Sequence, residues 1–299
     1  MITLQESHRA VFYAPFYAAM AGGAFAKEGV EVKFVSSPTP DQALDALLSG
    51  AVDVGWGGPM RVNLGNRTIP GADFVCFCEV VTRDPFLLLT RKDRGRYAPE
   101  RLAGLRVGAV SEVPTPWLCL QHDLRLAGVD PSTVAWVRGR SMAENVDGLL
   151  AGDIDVAQLY EPYVEQAVEV GCETWHAQAD RGPCSYTTFY ARRGMLTEKR
   201  TELVAMLRAV WKTQQHVGAM DGRALAAIVA PYFPSLKRPR LVAALDRCIA
   251  LGIWGKNPIL PRGGYDRLRD SLVTGGLIDR GVPFEDAVDN SLAHAAMAG

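Results

Sequence analysis

The sequence lacks the patterns of several common functional classes. Its 299 residues carry a formal net charge of −1, which gives no electrostatic basis for binding nucleic acid or an anionic membrane. No apolar run is long enough to span a bilayer, and no segment is of low complexity. There is no phosphate-binding P-loop and no dinucleotide fingerprint. We therefore predict a globular protein with no nucleic-acid partner and no cofactor.

Cysteine is scarce and is not spaced for a metal. Of the six cysteines, Cys76 and Cys78 are the only close pair, and they lack the second pair of a zinc motif. On a strand both would point to one face, which suits two small apolar core residues. A metal or redox role for the pair is the alternative. We predict no metal site.

The N-terminal residues show no leader pattern. Met1-Ile2-Thr3-Leu4 passes directly into a strand-like run, without a basic region, an apolar region or a cleavage site. Two locations stay open. The protein is cytoplasmic, or it is periplasmic or lipid-anchored and extracellular if a leader has been removed.

One pattern occurs twice. Residues 45–54 read DALLSGAVDV and residues 147–156 read DGLLAGDIDV. Each copy reads as the tail of an amphipathic helix, a glycine stop and a buried strand, and each runs on to a proline, in Gly57-Gly58-Pro59 and Tyr160-Glu161-Pro162. Two similar units predict two lobes with a ligand cleft between them.

Strands alternate with helices along both units, which predicts an α/β protein with parallel sheets. The pattern breaks at residues 82–85 and restarts at Leu105, and Thr187–Ala191 reads as a strand that returns to the first lobe. We predict lobe one from residues 1–83, lobe two from 84–186, and the return strand with mostly helical C-terminal residues from 187–299. Two chain crossings make a hinge for closure around a ligand.

Ligands of open α/β sheets bind beyond the carboxyl ends of the strands. That rule selects the segments Ser7–Pro15, Ser36–Asp41, Gly57–Met60, Ser111–Trp117, Gly139–Met142 and Tyr160–Glu161, together with the crossings. The candidate ligand-binding residues within them are His8, Tyr13, Ser36, Gly57, Gly58, Arg83, Asp84, Ser111, Thr115, Trp117, Tyr160, Glu161, Ser185 and Tyr186.

Each candidate also has a plain structural interpretation. Gly57-Gly58 either lets a ligand approach the backbone or only makes a tight turn. Ser111 and Thr115 either donate to a ligand or cap their helix. Glu161 either accepts from a ligand or is a first-turn helix charge, and the aromatic candidates either line a pocket or are ordinary core.

Enzyme patterns are weak. The five histidines are scattered, and no serine or cysteine beside His8 forms an evident catalytic dyad. His176 and Cys184 can meet only through the fold, which the sequence does not show. We predict that the protein is not an enzyme.

Several motifs, in order, are similar to one family. Residues 14–32, the strand Ala51-Val52-Asp53-Val54-Gly55, residues 152–162, residues 253–258 and residues 283–288 resemble the type II periplasmic binding proteins for nitrate, sulfonates, taurine and thiamin pyrimidine precursors. Tyr13 stands where the thiamin-precursor binders and the fungal thiamin-pyrimidine synthase carry a histidine. Cys76-Phe77-Cys78 does not reproduce the iron motif of that synthase.

The resemblance implies a two-lobed clamshell and a solute receptor of an ABC importer. Its partners would be a small polar organic ligand and the membrane permease, and we expect a monomer. An enzyme on the same scaffold, close to the thiamin-pyrimidine synthase or to a decarboxylase or desulfinase, is the alternative. A ligand-sensing regulator lacks a DNA-binding segment.

Overall fold

The fold is that of a computed structural model, which describes residues 1–37, 39 and 42–298. Ten strands form two five-stranded sheets, of order β2-β1-β3-β10-β4 and β7-β6-β8-β5-β9. The strands are β1 Ile2–Glu6, β2 Val32–Ser36, β3 Val54–Gly57, β4 Phe74–Val81, β5 Leu87–Thr90, β6 Arg106–Gly108, β7 Ala135–Val137, β8 Val156–Leu159, β9 Glu173–Ala177 and β10 Thr187–Arg192.

Helices surround both sheets, and five short 3-10 turns connect some of the elements. The helices are α1 Ala14–Ala21, α2 Ala24–Lys27, α3 Ala43–Leu48, α4 Met60–Thr68, α5 Thr115–Leu126, α6 Met142–Ala151, α7 Tyr163–Glu169, α8 Met195–Glu198, α9 Arg200–Val217, α10 Gly222–Val229, α11 Arg238–Ala250, α12 Arg262–Thr274, α13 Phe284–Ala287 and α14 Ser291–Met297. Within the described ranges, no helix is both long and apolar enough to cross a bilayer.

The two sheets share one topology, and neither is fully parallel as predicted. β1, β2 and β3 are parallel, whereas β10 pairs antiparallel with β3 and β4. In the second sheet β6, β7 and β8 are parallel, and β5 pairs antiparallel with β8 and β9. The antiparallel pairing follows from the two chain crossings. The chain enters β5 directly from the first sheet and β10 directly from the second sheet, so both strands run opposite to the strands that end at the cleft.

The return of β10 to the first sheet is confirmed by its pairing with β3 and β4. The strands on either side of the predicted boundaries, at residues 83/84 and 186/187, belong to different sheets. The boundaries themselves stay a prediction.

Local sequence accounts for several helix ends. Gly50 and Gly152 follow the helices of the repeat with φ of 74° and 81°, a conformation that glycine adopts without steric cost. Ser141 accepts from the Glu144 N–H at 3.2 Å, and Glu144 accepts from the Ser141 N–H at 2.7 Å, so a capping box starts α6.

Two elements differ from what the sequence pattern predicts. The pattern predicts one helix over Phe16–Glu28, but the structure has two helices there, because Gly22-Gly23 interrupts the segment and Gly23 has φ of 62°. β9 is not among the predicted strands, since Glu173 and Thr174 are exposed and the strand shows little apolar alternation. The turn residues Ser36–Asp41 also predict an N-cap for α3, but the residue before this helix is Gln42, whose side chain makes no cap hydrogen bond.

The C-terminal helices pack on the first lobe and also contact the second. α9 packs against α1, α2 and α14, whereas α12 packs against α5 and α11 packs against α7. The α5–α12 contact includes the apolar side chains Leu118 and Leu272 and a hydrogen bond from the Cys119 Sγ to the Ser271 Oγ at 3.5 Å. The α7–α11 contact contains an ion-pair cluster in which Arg247 binds Glu161 and Glu165 at 2.6 Å each. The C-terminal helices therefore contact the second lobe at two places, and only the α7–α11 contact contains this ion-pair cluster.

Candidate functional site

A small cavity between the lobes is the candidate functional site. Its volume is about 30 Å³, enough for a water molecule but far below the several hundred Å³ of sites that enclose small organic ligands. Binding such a ligand therefore requires the lobes to move apart. The cavity is lined by His8, Phe12, Tyr13, Gly58, Met60, Arg61, Phe86, Val113, Thr115, Tyr160 and Tyr186.

Larger concavities exist elsewhere, but they lack this convergence of strand ends. One of about 610 Å³ lies between α1, α2, α9 and α10, and another of about 620 Å³ lies beside Asp73 and Arg193. Ligands of α/β sheets bind where the carboxyl ends of parallel strands meet. The cleft meets that condition, since His8 follows β1, Gly58 follows β3 and Tyr160 follows β8.

His8 and Arg61 provide the polar side of the cavity. The His8 Nδ1 lies 3.1 Å from the Ser7 Oγ, and its Nε2 is buried with no hydrogen-bond partner among the described residues. Burial, together with the nearby Arg61 charge, lowers the pKa of His8 to about 3. The imidazole is therefore neutral at physiological pH. Arg61 is itself only 7% exposed, so the cavity contains a cation shielded from water.

Aromatic rings form the apolar side. Tyr160 meets Phe12 and Phe86 edge-on, with ring centroids 5.2 and 5.0 Å apart and both ring pairs at 90°. The ring centroids of Tyr186 and Phe86 lie 6.1 Å apart, and the buried Tyr186 hydroxyl has no hydrogen-bond partner in the described part of the chain. Burial raises the pKa of Tyr186, so its hydroxyl keeps its proton. These walls suit an apolar ligand body beside a polar end.

Thr115 brings a helix N-terminus to the cavity. It is the first residue of α5, and the N-cap residue before it, Pro114, makes no side-chain cap hydrogen bond. The first N–H groups of a helix lack internal partners and carry partial positive charge. Thr115 therefore adds a hydroxyl and a favourable field for a negatively charged ligand group.

Six predicted candidates line the cavity: His8, Tyr13, Gly58, Thr115, Tyr160 and Tyr186. Gly57 lies just behind it, where an added Cβ would sit 3.0 Å from the Arg61 Nη1. Its lack of a side chain leaves room for that guanidinium. A ligand-binding role for each residue stays a prediction, because the structure establishes location only.

Three charged or hydroxyl candidates lie away from the cavity because they have protein partners. Glu161 is bound by Arg247, and it also accepts from the Glu165 N–H at 3.1 Å. Asp84 is fully buried in an ion pair with Arg181. Burial raises the pKa of Asp84, and the Arg181 charge opposes that rise. Ser36 donates to the Glu6 carboxylate at 2.6 Å.

The remaining candidates also lie outside the cavity lining. Ser111 accepts from the Gly139 N–H at 3.0 Å, and Trp117 stacks under Arg138 with the guanidinium carbon 4.0 Å from its ring centre. Arg83 lines a separate concavity behind the hinge. Ser185 is fully buried, and its N–H donates to the Gly264 carbonyl at 3.0 Å.

Five lining residues were not among the predicted site residues: Phe12, Met60, Arg61, Phe86 and Val113. The sequence context of Arg61 could have identified it as a site residue. It lies in the first turn of α4, where a cation opposes the helix dipole, directly after a strand end and two glycines. Phe86 had no such signal, because its pattern is that of an ordinary core strand.

The sequence predicts no evident catalytic dyad at His8, and in the structure the Ser7 Oγ lies 3.1 Å from the His8 Nδ1. Ser7 does not line the cavity, and neither does any of the six cysteines, all of which are buried and free. Among the described residues, no group of three or more histidine, cysteine or acidic side chains is arranged to hold a metal.

Two similar lobes, a hinge of two crossings and a cavity between them define a two-lobed solute-binding fold of the periplasmic type. The chain belongs to the NMT1/THI5-like family, whose model matches residues 11–219. The resemblance derived from the sequence is thus confirmed at the level of the family.

Relatives and solved structures agree with this assignment. A Bacillus subtilis (strain 168) protein named "Putative binding protein YtlA" is 20% identical over 98% of this chain and 88% of its own length. The periplasmic aliphatic sulphonate binding protein SsuA from Escherichia coli is 16% identical, with a TM-score of 0.79 over 98% of both chains. The desulfurization enzyme DSZB is 14% identical, with a TM-score of 0.70 over 100% of this chain and 99% of its own. The structural likeness establishes the shared fold.

Proposed function

We propose that this protein binds a small organic anion with an apolar body in the cleft between its lobes. The observation that carries the proposal is that the buried cation Arg61 and the unpartnered Nε2 of a neutral histidine line one cavity with an aromatic wall. A charged ligand group needs a buried partner of opposite sign, and the rings contribute apolar contact area. A sulfonate or carboxylate with a small ring or alkyl group meets both requirements.

Binding is coupled to closure. Since the cavity holds little more than a water molecule, the ligand enters an open form and the lobes close on it. The ligand then touches residues from both lobes, such as Arg61 and Tyr160. The closed, liganded form is what a membrane permease recognises, and we propose that the protein is the substrate receptor of an ABC importer acting outside the cytoplasmic membrane.

A ligand screen tests the binding role. Alkanesulfonates, benzenesulfonate, benzoate, nitrate and an aminopyrimidine are added to the purified protein, and the melting temperature is measured. A ligand at a hundredfold excess over its Kd stabilises the native state by about 2.7 kcal/mol, or roughly 5 °C for a chain of this size. The organic anions should give that shift. A flat response across the set contradicts the proposal.

Arg61→Met gives the matched control for the anion. Methionine keeps the unbranched apolar stem and removes the charge. Hydrogen bonds to charged groups contribute about 1.5–3 kcal/mol, so the affinity for the best anion should fall by roughly 10- to 100-fold. Circular dichroism establishes that the variant is folded. Unchanged affinity would place the anion elsewhere.

An enzyme on the same scaffold is the second candidate, favoured by the Ser7–His8 pair and by the likeness to DSZB, one structure of which holds biphenyl-2-sulfinic acid. We rank it second because Ser7 does not line the cavity. Incubation with biphenyl-2-sulfinate, followed by measurement of released sulfite, separates the two functions. Release that His8→Ala abolishes would make the protein an enzyme.

A further inference from the structure

We infer that Arg247 sets the ligand affinity without touching the ligand: closure of the lobes buries the Glu161 carboxylate against α11, and Arg247 supplies the opposite charge that this burial requires. The inference rests on the proposed function and deepens it, because it identifies a positioning residue outside the cavity that controls closure. Its grounds are the lobes to which the two helices belong, the burial of Glu161, and a second ion pair between the same helices.

The helices α7 and α11 belong to different lobes. α7 follows β8 of the second sheet, and Tyr160, which lies between them in the chain, lines the cavity. α11 packs against α10, which packs against α1 of the first lobe, and α11 also contacts the 3-10 turn Val11–Tyr13. Phe12 and Tyr13 of that turn line the cavity as well. The α7–α11 contact therefore borders the cleft, and lobes that move apart separate the two helices.

Glu161 is the acid that closure buries. It is 3% exposed, and its Oε1 accepts from the Arg247 Nε at 2.6 Å. The Arg247 Nη2 donates to the Glu165 Oε2, also at 2.6 Å. Since Arg247 comes from the opposite lobe, the closed form pairs the Glu161 carboxylate, and the open form returns it to water. Closing without the arginine would leave a buried carboxylate uncompensated, which is costly.

A second ion pair between the same helices provides the comparison. The Arg240 Nε donates to the Glu169 Oε1 at 3.1 Å. The two arginine side chains are about equally exposed, at 27% and 26%, whereas Glu169 is 42% exposed and Glu161 only 3%. Burial raises the pKa of Glu161 and Arg247 opposes that rise, whereas the hydrogen bond from Arg240 lowers the pKa of Glu169. Of the two acids, Glu161 is therefore the one that loses hydration when the helices meet.

Anion affinity is the first test, with benzenesulfonate as the probe in calorimetric titration. Arg247→Met should bind it roughly 10- to 30-fold more weakly, because each closure leaves the Glu161 charge unpaired. Arg240→Met, the matched control, should change the affinity less than about threefold, since an exposed pair contributes little. Circular dichroism establishes that both variants are folded. Equal losses in the two variants overturn the inference.

A second substitution separates this role from a merely structural one. Glu161→Gln replaces the carboxylate by a neutral amide, which needs no opposite charge when it is buried. Combined with Arg247→Met, it should restore the affinity to within about threefold of wild type. If Arg247 only supported the shape of the contact, the two losses would add. A double variant that binds as weakly as Arg247→Met, or more weakly, overturns the inference.

The deficit of Arg247→Met should also depend on pH. Glu161 faces the charges of Arg247 and Glu165 and lies near the Cys248 thiol, whose pKa burial raises so that it keeps its proton. Without Arg247 the pKa of Glu161 in the closed form lies further above its value in water, so the closed form binds more protons and is favoured as pH falls. The deficit should shrink between pH 8 and pH 5, whereas the sulfonate keeps its charge. A deficit independent of pH overturns the inference.

Closure can also be measured without any ligand, by small-angle X-ray scattering. Arg247→Met should have a larger radius of gyration than wild type, and the double variant with Glu161→Gln should return to the wild-type value. Equal radii in all three proteins overturn the inference, whatever the ligand proves to be. If the radii follow the expected order but no organic anion raises the melting temperature, the proposed function fails and the role of Arg247 in closure stands.

Discussion

The two copies of the DxLLxGxxDV pattern make a direct comparison between the lobes. The Asp53 Oδ2 accepts from the Thr3 N–H at 2.8 Å, and the Asp53 N–H donates to the Thr3 carbonyl at 3.0 Å. Asp155 makes the same two bonds with the backbone of Arg106, at 3.0 and 2.8 Å. In each lobe the second aspartate of the repeat therefore joins its strand to the neighbouring parallel strand.

The copies differ after that aspartate. The first continues with Gly55, Gly57 and Gly58, and these glycines leave room for the Tyr190 ring, the Arg61 guanidinium and the cavity. The second continues with Ala157, then Tyr160 in the cavity wall and Glu161 in the contact with α11. The shared residues build the lobes, whereas the residues that differ form the site and the contact between lobes.

Gly55→Ala should lower the free energy of unfolding more than the other substitutions below. An added Cβ would lie 2.7–2.9 Å from the fully buried ring of Tyr190, which cannot move without disturbing the sheet. Overpacking of this kind costs about 1–3 kcal/mol, and we expect the upper end in urea unfolding. The reciprocal change Ala157→Gly only removes a methyl group, and should cost about 1 kcal/mol. Equal effects would mean that the two strands are packed alike.

Arg247→Met tests the charged contact that the second copy supplies. Glu161 is 3% exposed, so without Arg247 its charge is buried and unpaired. Removing one member of a buried pair costs about 3–5 kcal/mol, and the partial exposure of Arg247 reduces that to roughly 2. Arg240→Met is the control, since Arg240 is as exposed as Arg247 but its partner Glu169 is far more exposed than Glu161, and such pairs contribute about 1 kcal/mol or less.

The Arg247→Met deficit should depend on pH. Burial raises the pKa of Glu161 in the folded state, and Arg247 opposes that rise. Without the arginine the folded pKa rises further above the unfolded one. Such a carboxyl favours the folded state when protonated, so the variant loses stability as pH increases from 4.5 through the folded pKa. Unfolding at pH 4 and pH 8 should give the smaller deficit at pH 4. A deficit independent of pH would argue against a buried carboxylate.

Asp155→Asn should lower the free energy of unfolding less than Arg247→Met does. Bonds from Arg106 lower the pKa of Asp155 below its ordinary 3.8. A carboxyl group with a lower pKa in the folded state stabilises that state at pH values above its pKa in the unfolded state. This stabilisation is lost as the pH falls through the pKa of the folded state. The side chain is partly solvated, so we expect a loss of about 1 kcal/mol at pH 7, measured by urea unfolding, that shrinks as the pH falls below 3.8. A loss that persists there would mean that the charge does not matter.

Sequence reasoning recovered what local pattern determines. The sequence pattern predicts strands over Ile2–Glu6 and Phe74–Val81 and a helix over Met142–Ala151, and β1, β4 and α6 have these bounds. Short apolar strands and a capped amphipathic helix are decided by their own residues. The rule of strand ends placed His8, Gly58 and Tyr160 at the cleft. Contacts between residues that are far apart in the sequence could not be predicted. Glu161 pairs with a residue 86 positions away, and no local signal shows whether such a carboxylate faces a ligand or an arginine.

Gly57→Ala should have the smallest effect on stability and a clear effect on binding. Its Cβ would approach the Arg61 Nη1 at 3.0 Å, and the end of a long side chain can move away at little cost. Gly→Ala also restricts the unfolded chain, so the net change in stability should stay below about 1 kcal/mol. The displaced guanidinium should weaken anion binding by roughly 10-fold, since hydrogen bonds to charged groups contribute about 1.5–3 kcal/mol. If the glycine acts through Arg61, Gly57→Ala combined with Arg61→Met binds no more weakly than Arg61→Met alone, as calorimetric titration of all three variants can establish. Additive losses would instead assign Gly57 a direct contact with the ligand.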